Sequence, residues 1–288
     1  MTKTSAYTRR DFLRSTTAAA TVAATSAPLL SAAGAVSSVV VVRDQKAMTG
    51  GNKVDAAIVE KMVAETVMRV TGEKSTKSAW LSLFKPTDIV GLVPTPHLNP
   101  THDEVVAAVR QQLVEAGIPE SNIRNAQGGT EVVKQCTALI SLPGLKAHWL
   151  TGIGTVLKNY ILFSGRARDY HYADSAKLGE IWNLPHVKGK TRLVLVDALR
   201  PLCDKGPQPD PRYMWPYKGL IAGKDPVAVE RVGLEIITKK RDALRGEPWP
   251  LSPPPLCVEA ADKDYHLGVS DLKRIKVETV GWSDELFL

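Results

Sequence analysis

Cysteine is scarce: the 288 residues hold three, Cys136, Cys203 and Cys257, and no two stand as Cys-x-x-Cys. Four thiolates for an iron–sulfur cluster cannot come from this chain alone. Both one disulfide with one free thiol and three shielded thiols fit, because a domain of this length buries enough surface without a covalent staple. Beyond the first 35 residues no apolar run is long enough to cross a bilayer, which argues against stable membrane insertion. The chain lacks a Walker loop, a dinucleotide fingerprint and a Gly-x-Ser-x-Gly elbow, so nucleotide binding and serine-hydrolase chemistry have no local signature. Lys239-Lys240-Arg241 is a single short basic cluster late in an expected helix, where cations complement the dipole. No Lys/Arg block is interleaved with aromatics, so nucleic acid is not an expected partner.

The segment Thr8-Arg9-Arg10-Asp11-Phe12-Leu13-Arg14 pairs two arginines with following apolar residues. An uncharged Ala/Thr/Ser-rich stretch follows, and Ala33-Gly34-Ala35 supplies the small-x-small pattern of a signal peptidase site. Residues 1–35 therefore read as a cleaved twin-arginine signal peptide, with the translocase as a transient partner and a periplasmic or otherwise exported location. The stretch is rich in Ala, Ser and Thr and contains Pro28, which makes it a poor membrane anchor. The formal charge of +7 falls to +4 without the leader, 33 cations against 29 carboxylates, so the remaining chain is only mildly basic.

Residues 36–288 read as one α/β domain. Val36 to Val42 is a β-branched run, Val54 to Val70 carries apolar residues at helical spacing, and Ile89 to Val93 is a second short strand. Thr101-His102-Asp103-Glu104 has the form of a capping box, and Gly117 stops the helix it opens. Ile123 to Ala126, Ala138 to Leu142 and Arg192 to Asp197 continue as strands, with helices expected over Thr155 to Leu162 and Ala173 to Asn183. Asp225-Pro226 marks another helix start, and Pro248 to Pro255 is too proline-rich for anything but extended chain. Ile275 to Val280 returns as a late edge strand. Alternating strands and helices imply a mainly parallel, helix-covered sheet whose ligand crevice lies beyond the carboxyl ends of the strands.

An ordered series of phrases carries a resemblance: Lys85-Pro-Thr-Asp-Ile-Val-Gly-Leu92, Thr101-His102-x-Glu104, Leu142-Pro-Gly-Leu-Lys146-x-His148, Leu157-Lys158-Asn159, Asp197-Ala-Leu199, and Pro211-Arg212-Tyr213 through Asp225-Pro226-Val227-Ala228. Together they resemble the twin-arginine-exported branch of the family called domain of unknown function 362, from about Lys85 to Arg245. The resemblance implies an exported α/β fold rather than a particular reaction, and relatives with a fused ferredoxin-like domain suggest redox or metal work nearby. Two departures stand out. Val93-Pro94-Thr95 replaces a Lys-Val-Asn phrase, and Glu230 stands where the pattern has Asp, keeping the charge but moving it outward by a methylene.

A parallel sheet would deliver Thr95, His97 and His102 after one strand, Lys146 and His148 after the next, and Asp197 on a third, to a single crevice. His148, Asp197 and Lys146 are the candidate catalytic groups, and His148, His102 and Asp197 form a mixed donor set suited to a divalent metal. His102 alternatively sits exposed behind its cap, Asp197 alternatively caps a turn, and Asp225 reads most simply as a helix cap. Lys146, Lys158 and Asn159 flank a turn containing Gly152 and Gly154, a setting for a small carboxylate or phosphate. The residues thus suggest a metal-assisted or redox enzyme acting on a small anionic compound. The alternative is a non-catalytic binding or accessory protein that keeps the fold without part of the family's site.

Overall fold

Four consecutive valines, Val39 to Val42, are all buried, and alternate ones enter different cores: Val39 and Val41 pack on one side, Val40 and Val42 on the other. Strand side chains alternate between faces, so an unbroken apolar run marks a strand covered on both sides. The computed structural model describes residues 36–127 and 129–288; the signal peptide expected over residues 1–35 lies outside the described residues. Ala35–Leu288 is one compact unit.

In chain order the elements are β1 (Ser37–Arg43), α1 (Ala56–Thr71), α2 (Thr76–Leu83), β2 (Val90–Pro94), α3 (Asp103–Ala116), β3 (Ile123–Asn125), α4 (Thr130–Gln135), β4 (Ala138–Leu142), β5 (Gly144–His148) and β6 (Gly152–Ile153). A 3-10 helix over Leu157–Ser164 follows, then α5 (Gly179–Trp182), β7 (Thr191–Leu202), β8 (Gly219–Gly223), α6 (Pro226–Arg245), α7 (Leu256–Lys263) and β9 (Ile275–Gly281). The strands form one nine-stranded sheet in the order β3-β2-β4-β7-β8-β1-β9, with β5 added beside β7 and β6 beside β5. It is mostly parallel. Only β8, between β7 and β1, and the short β6 run antiparallel to their neighbours.

Helices α1, α2 and α3 cover one face, where Trp80 Nε1 donates to Gln112 Oε1 at 3.1 Å and Gln112 Nε2 donates to the Glu60 carbonyl at 2.8 Å. These bonds tie the three helices together at their only deeply buried amide. The 3-10 helix, α5, α6 and α7 cover the other face, with Tyr160 stacked on Trp182 at 4.3 Å between ring centroids.

The departures from the expected elements have local causes. The capping box does not form: α3 begins at Asp103 after His102, which makes no side-chain cap, because the Thr101 hydroxyl is committed to the Leu142 carbonyl at 2.5 Å. The helix expected over Thr155 to Leu162 is the 3-10 helix, and the one over Ala173 to Asn183 divides into a 3-10 turn, Tyr172–Leu178, and the four-residue α5. Asp225 caps α6 as expected, its Oδ1 accepting from the Val227 and Ala228 amides at 2.9 Å each. Arg241 is not part of a solvated basic cluster. It is 2% exposed, its guanidinium donating to the Cys203, Trp249 and Pro250 carbonyls and to Asp204, with its plane 4.0 Å from the Trp249 ring centroid. All three cysteines are free and buried.

Strand β4 pairs with the first part of β7 and β5 with the last part, so both run along one neighbour with Pro143 interrupting between them. Proline has no N–H to give the ladder. After this break β5 continues along β7 and carries Lys146 and His148 to the cleft beyond the end of β2.

Candidate functional site

A cleft of about 180 Å³ opens where the chain leaves β2. One wall is Thr95, Pro96, His97 and Leu98; the opposite wall is Lys146 and His148 from β5, Gly154, and Lys158, Asn159, Ile161 and Leu162 from the 3-10 helix. Its apolar members, Leu98, Ile161, Leu162 and Pro207, frame the two lysines. Five of the residues singled out in the sequence, Lys146, His148, Gly154, Lys158 and Asn159, therefore meet at one place, beside Thr95 and His97.

Lys146 is 4% exposed and its Nζ donates to the Asn99 carbonyl at 3.0 Å. Neither it nor Lys158 has a carboxylate within ion-pair distance among the described residues. Burial pulls the Lys146 amine down to about 7; the Asp197 charge opposes this, and the Lys158 charge adds to it to a smaller extent. Burial likewise lowers Lys158 to about 8. The carbonyl that receives Lys146 is presented by an unusual backbone. Leu98 and Asn99 both take left-handed conformations, φ 57° and 64°, a cost that a leucine rarely bears and that clusters at functional sites. Gly144 leaves room for the same carbonyl, since a Cβ there would stand 3.0 Å from the Asn99 oxygen.

His148 is the last residue of β5 rather than part of a loop. Its Nδ1 accepts from the Leu150 amide at 3.1 Å, which leaves the proton on Nε2. Burial, then the charges of Lys158, His171 and Lys146, hold it neutral, lowered to about 3. It therefore acts here as a hydrogen-bond donor rather than as a base. Gly154 is what admits the ring, because a Cβ at that position would lie 3.0 Å from two of its carbons.

Lys158 Nζ donates to His171 Nε2 at 2.9 Å, and His171 Nδ1 donates to the Arg168 carbonyl at 3.3 Å. The His171 ring also stacks on His148 at 5.9 Å. The loop carrying His171 is thereby fastened over the cationic wall. Asn159, by contrast, is a structural staple: its Nδ2 donates to the Val93 carbonyl at 2.7 Å and to Ser141 Oγ at 3.1 Å, and its Oδ1 accepts from Thr95 Oγ1 at 3.3 Å. Its polar atoms are spent joining β2 and β4 to the 3-10 helix, so it shapes the cleft without offering a free amide to a ligand. Gly152 is also structural. With φ 76°, it faces the backbone of Pro253 and Pro255, where any Cβ would collide.

The proposed metal set is not assembled. His102 Nδ1 lies 2.7 Å from Asp197 Oδ2, which also accepts the His102 amide at 2.7 Å, while Asp197 Oδ1 accepts the Leu199 amide at 3.0 Å. Asp197 thus pins the start of α3 to β7 and turns its own strand, filling its lone pairs with N–H donors; neither it nor His102 lines the cleft. His148 stands apart with its ring against His171. Among the described residues no group of three His, Cys, Asp or Glu side chains is placed to hold a metal ion. Although burial opposes it, the Asp197 hydrogen bond raises the His102 imidazole.

Glu230 lies behind the same wall. It is 1% exposed, and its Oε2 accepts the Leu157 amide at 2.7 Å at the start of the 3-10 helix, while Oε1 is buried without a hydrogen-bond partner. Burial raises it to about 7 against the backbone donors of Leu157, Val156 and Thr155. It does not sit at the surface; it is a buried anchor under the helix that carries Lys158.

The family Domain of unknown function (DUF362) matches residues 114–235. This stretch belongs to DUF362. The match spans the cationic wall, from Lys146 and His148 through Lys158 to Glu230, and is shorter than the resemblance read from Lys85 to Arg245. The Thr95–Leu98 wall and the Val93-Pro94-Thr95 departure fall outside the DUF362 match. No curated protein and no solved structure gives a match to the chain.

Sequence reasoning missed Leu98, Ile161, Leu162 and Pro207 as lining, and missed the Asn99 carbonyl. The one available signal was Asn99-Pro100, since asparagine tolerates left-handed backbone and proline fixes the turn after it.

Proposed function

We propose that this protein binds a small anionic compound in the cleft between Thr95–Leu98 and the Lys146–Lys158 wall. The observation that carries the reading is the buried Lys146 and the half-buried Lys158, neither ion-paired with a carboxylate among the described residues, lining one cavity framed by apolar side chains. Burying a cation without a counter-charge is costly, and the cost is recovered when a ligand brings the negative charge. A carboxylate or phosphate on a compound of a few heavy atoms fits the volume, with His148 Nε2–H as a further donor. The paired arginines of the leader support a site that works after export through the twin-arginine translocase.

Isothermal titration with acetate, lactate and inorganic phosphate tests the site. Lys146→Ala and Lys158→Ala should each weaken binding by about 1–3 kcal/mol, the range for a lost charge-assisted hydrogen bond, and should leave the fold intact by circular dichroism. Anions that bind wild type and both variants equally would place the site elsewhere. Export is tested by fractionation: an Arg9→Lys, Arg10→Lys double variant should remain in the cytoplasm, and unchanged export would remove the twin-arginine reading.

A further inference from the structure

The two lysines of the cleft are not equivalent. Lys158 donates to a neutral imidazole, the Nε2 of His171, which is itself fixed by the Arg168 carbonyl. That ammonium is thus held at one edge of the cavity by a relay of fixed donors and acceptors. Lys146 comes from β5 on the same wall, and the hydrogen bond its Nζ makes is to the Asn99 carbonyl. One acceptor leaves the remaining valences of that nitrogen free, and Lys146 lines the cavity.

Both lysines line one small apolar cleft, Lys146 is the more deeply buried of the two, and burial lowers both, so Lys146 is the one that more readily gives up its proton. A site built only to hold an anion gains nothing from a neutral amine. An amine desolvated in an apolar pocket beside a second cation is, however, the arrangement that makes a lysine nucleophilic toward carbonyl carbon.

We propose that Lys146 Nζ forms an imine with a small aldehyde or ketone whose carboxylate or phosphate group is held by Lys158. This deepens the anion-binding reading and rests on it. The nitrogen lone pair of Lys146 forms the C–N bond while the carbonyl π bond breaks onto oxygen, which takes up a proton. The carbinolamine then loses that oxygen as water, the nitrogen having given up both amine protons, and the C=N bond remains. One amine and one carbonyl compound give one imine and one water, with no change of oxidation state. The proton for the carbonyl oxygen comes from solvent or from the ammonium of Lys158, which lines the same cleft, and the His148 Nε2–H can hold that oxygen as charge develops on it. The imine is hydrolysed by the reverse path or retained as an electron sink for a bond α to the carbonyl.

The test is reductive trapping on the full chain at pH 7. Glyoxylate or pyruvate is added with cyanoborohydride, and modified lysines are located by peptide mass spectrometry at short times. In parallel, acetate and lactate, which carry the anion but no reactive carbonyl, are titrated calorimetrically. The expected result is an adduct on Lys146 formed at least about tenfold faster than on any surface lysine, suppressed by excess lactate and absent in Lys146→Arg, whose folding is checked by circular dichroism. Binding of lactate without preferential labelling of Lys146 overturns the imine and leaves the anion site standing. Labelling spread evenly over surface lysines, with no lactate binding, overturns both.

Discussion

At the scale of single residues, the site depends on which groups are allowed to lose their charge. Lys146 and Lys158 are lowered, His148 is held neutral, and Glu230 is raised, each chiefly by burial. The signs of the resulting pH effects differ. A lysine or histidine lowered in the folded state binds fewer protons than in the unfolded chain, so stability rises with pH between its folded and unfolded values. Glu230, raised to about 7 from 4.5, binds more protons when folded, so its contribution is full below pH 4.5 and is lost as pH climbs to 7. Glu230→Gln mimics the protonated acid, keeping a carbonyl for the Leu157 amide and removing the titration. Chemical denaturation across pH 4.5 to 7 should show the variant gaining on wild type, by at most about 1.4 kcal/mol per pH unit. A difference between the two proteins that stays flat over this window would show that Glu230 is ionised throughout and that its anchoring of the 3-10 helix has been misread.

At the scale of elements, legibility in the sequence followed how completely local chemistry decides the outcome. β1, β4 and the Asp225-capped α6 were readable because an apolar run or a capping carboxylate before proline is self-sufficient. β8 and α2 were not: Gly219–Gly223 is short and glycine-bounded, and takes its strand geometry from β1 and β7 on either side. β5 has no strand signal of its own because Pro143 cuts it from β4, and only pairing with β7 makes it a strand. The candidate site shows the same division. That Lys146, His148 and Lys158 converge followed from a sheet whose strands end together. That His102 and Asp197 would spend their polar atoms on each other depended on the path of the loop after β2, which no spacing encodes. Asn159 looked like a ligand amide for the same reason, although its three polar contacts hold the strands. The capping box failed because Thr101 found a better acceptor in β4 than in its own helix.

At the scale of the whole molecule, a sheet covered on both faces carries a cleft whose walls come from the Thr95–Leu98 loop, from β5 at the end of β7 and from the 3-10 helix. The DUF362 match includes the wall of Lys146, His148 and Lys158 but not the Thr95–Leu98 wall, so the two sides of the cleft belong to different parts of the chain. Three buried free thiols and no disulfide leave the domain to hold itself by its two cores, consistent with its length. The central claim is that the cleft keeps its amines partly unprotonated until an anion arrives. An anion favours the charged lysines, so binding must draw protons from solution wherever Lys146 and Lys158 are not already protonated. Calorimetric titration of lactate or phosphate at pH 8, repeated in buffers of different ionisation enthalpy, measures this uptake directly. The account predicts a net uptake of protons on binding that falls toward zero at pH 6 and is reduced in Lys146→Ala, with affinity weakening as pH rises from 7 to 9. Heats identical in every buffer, with affinity unchanged across that range and in Lys146→Ala, would contradict it.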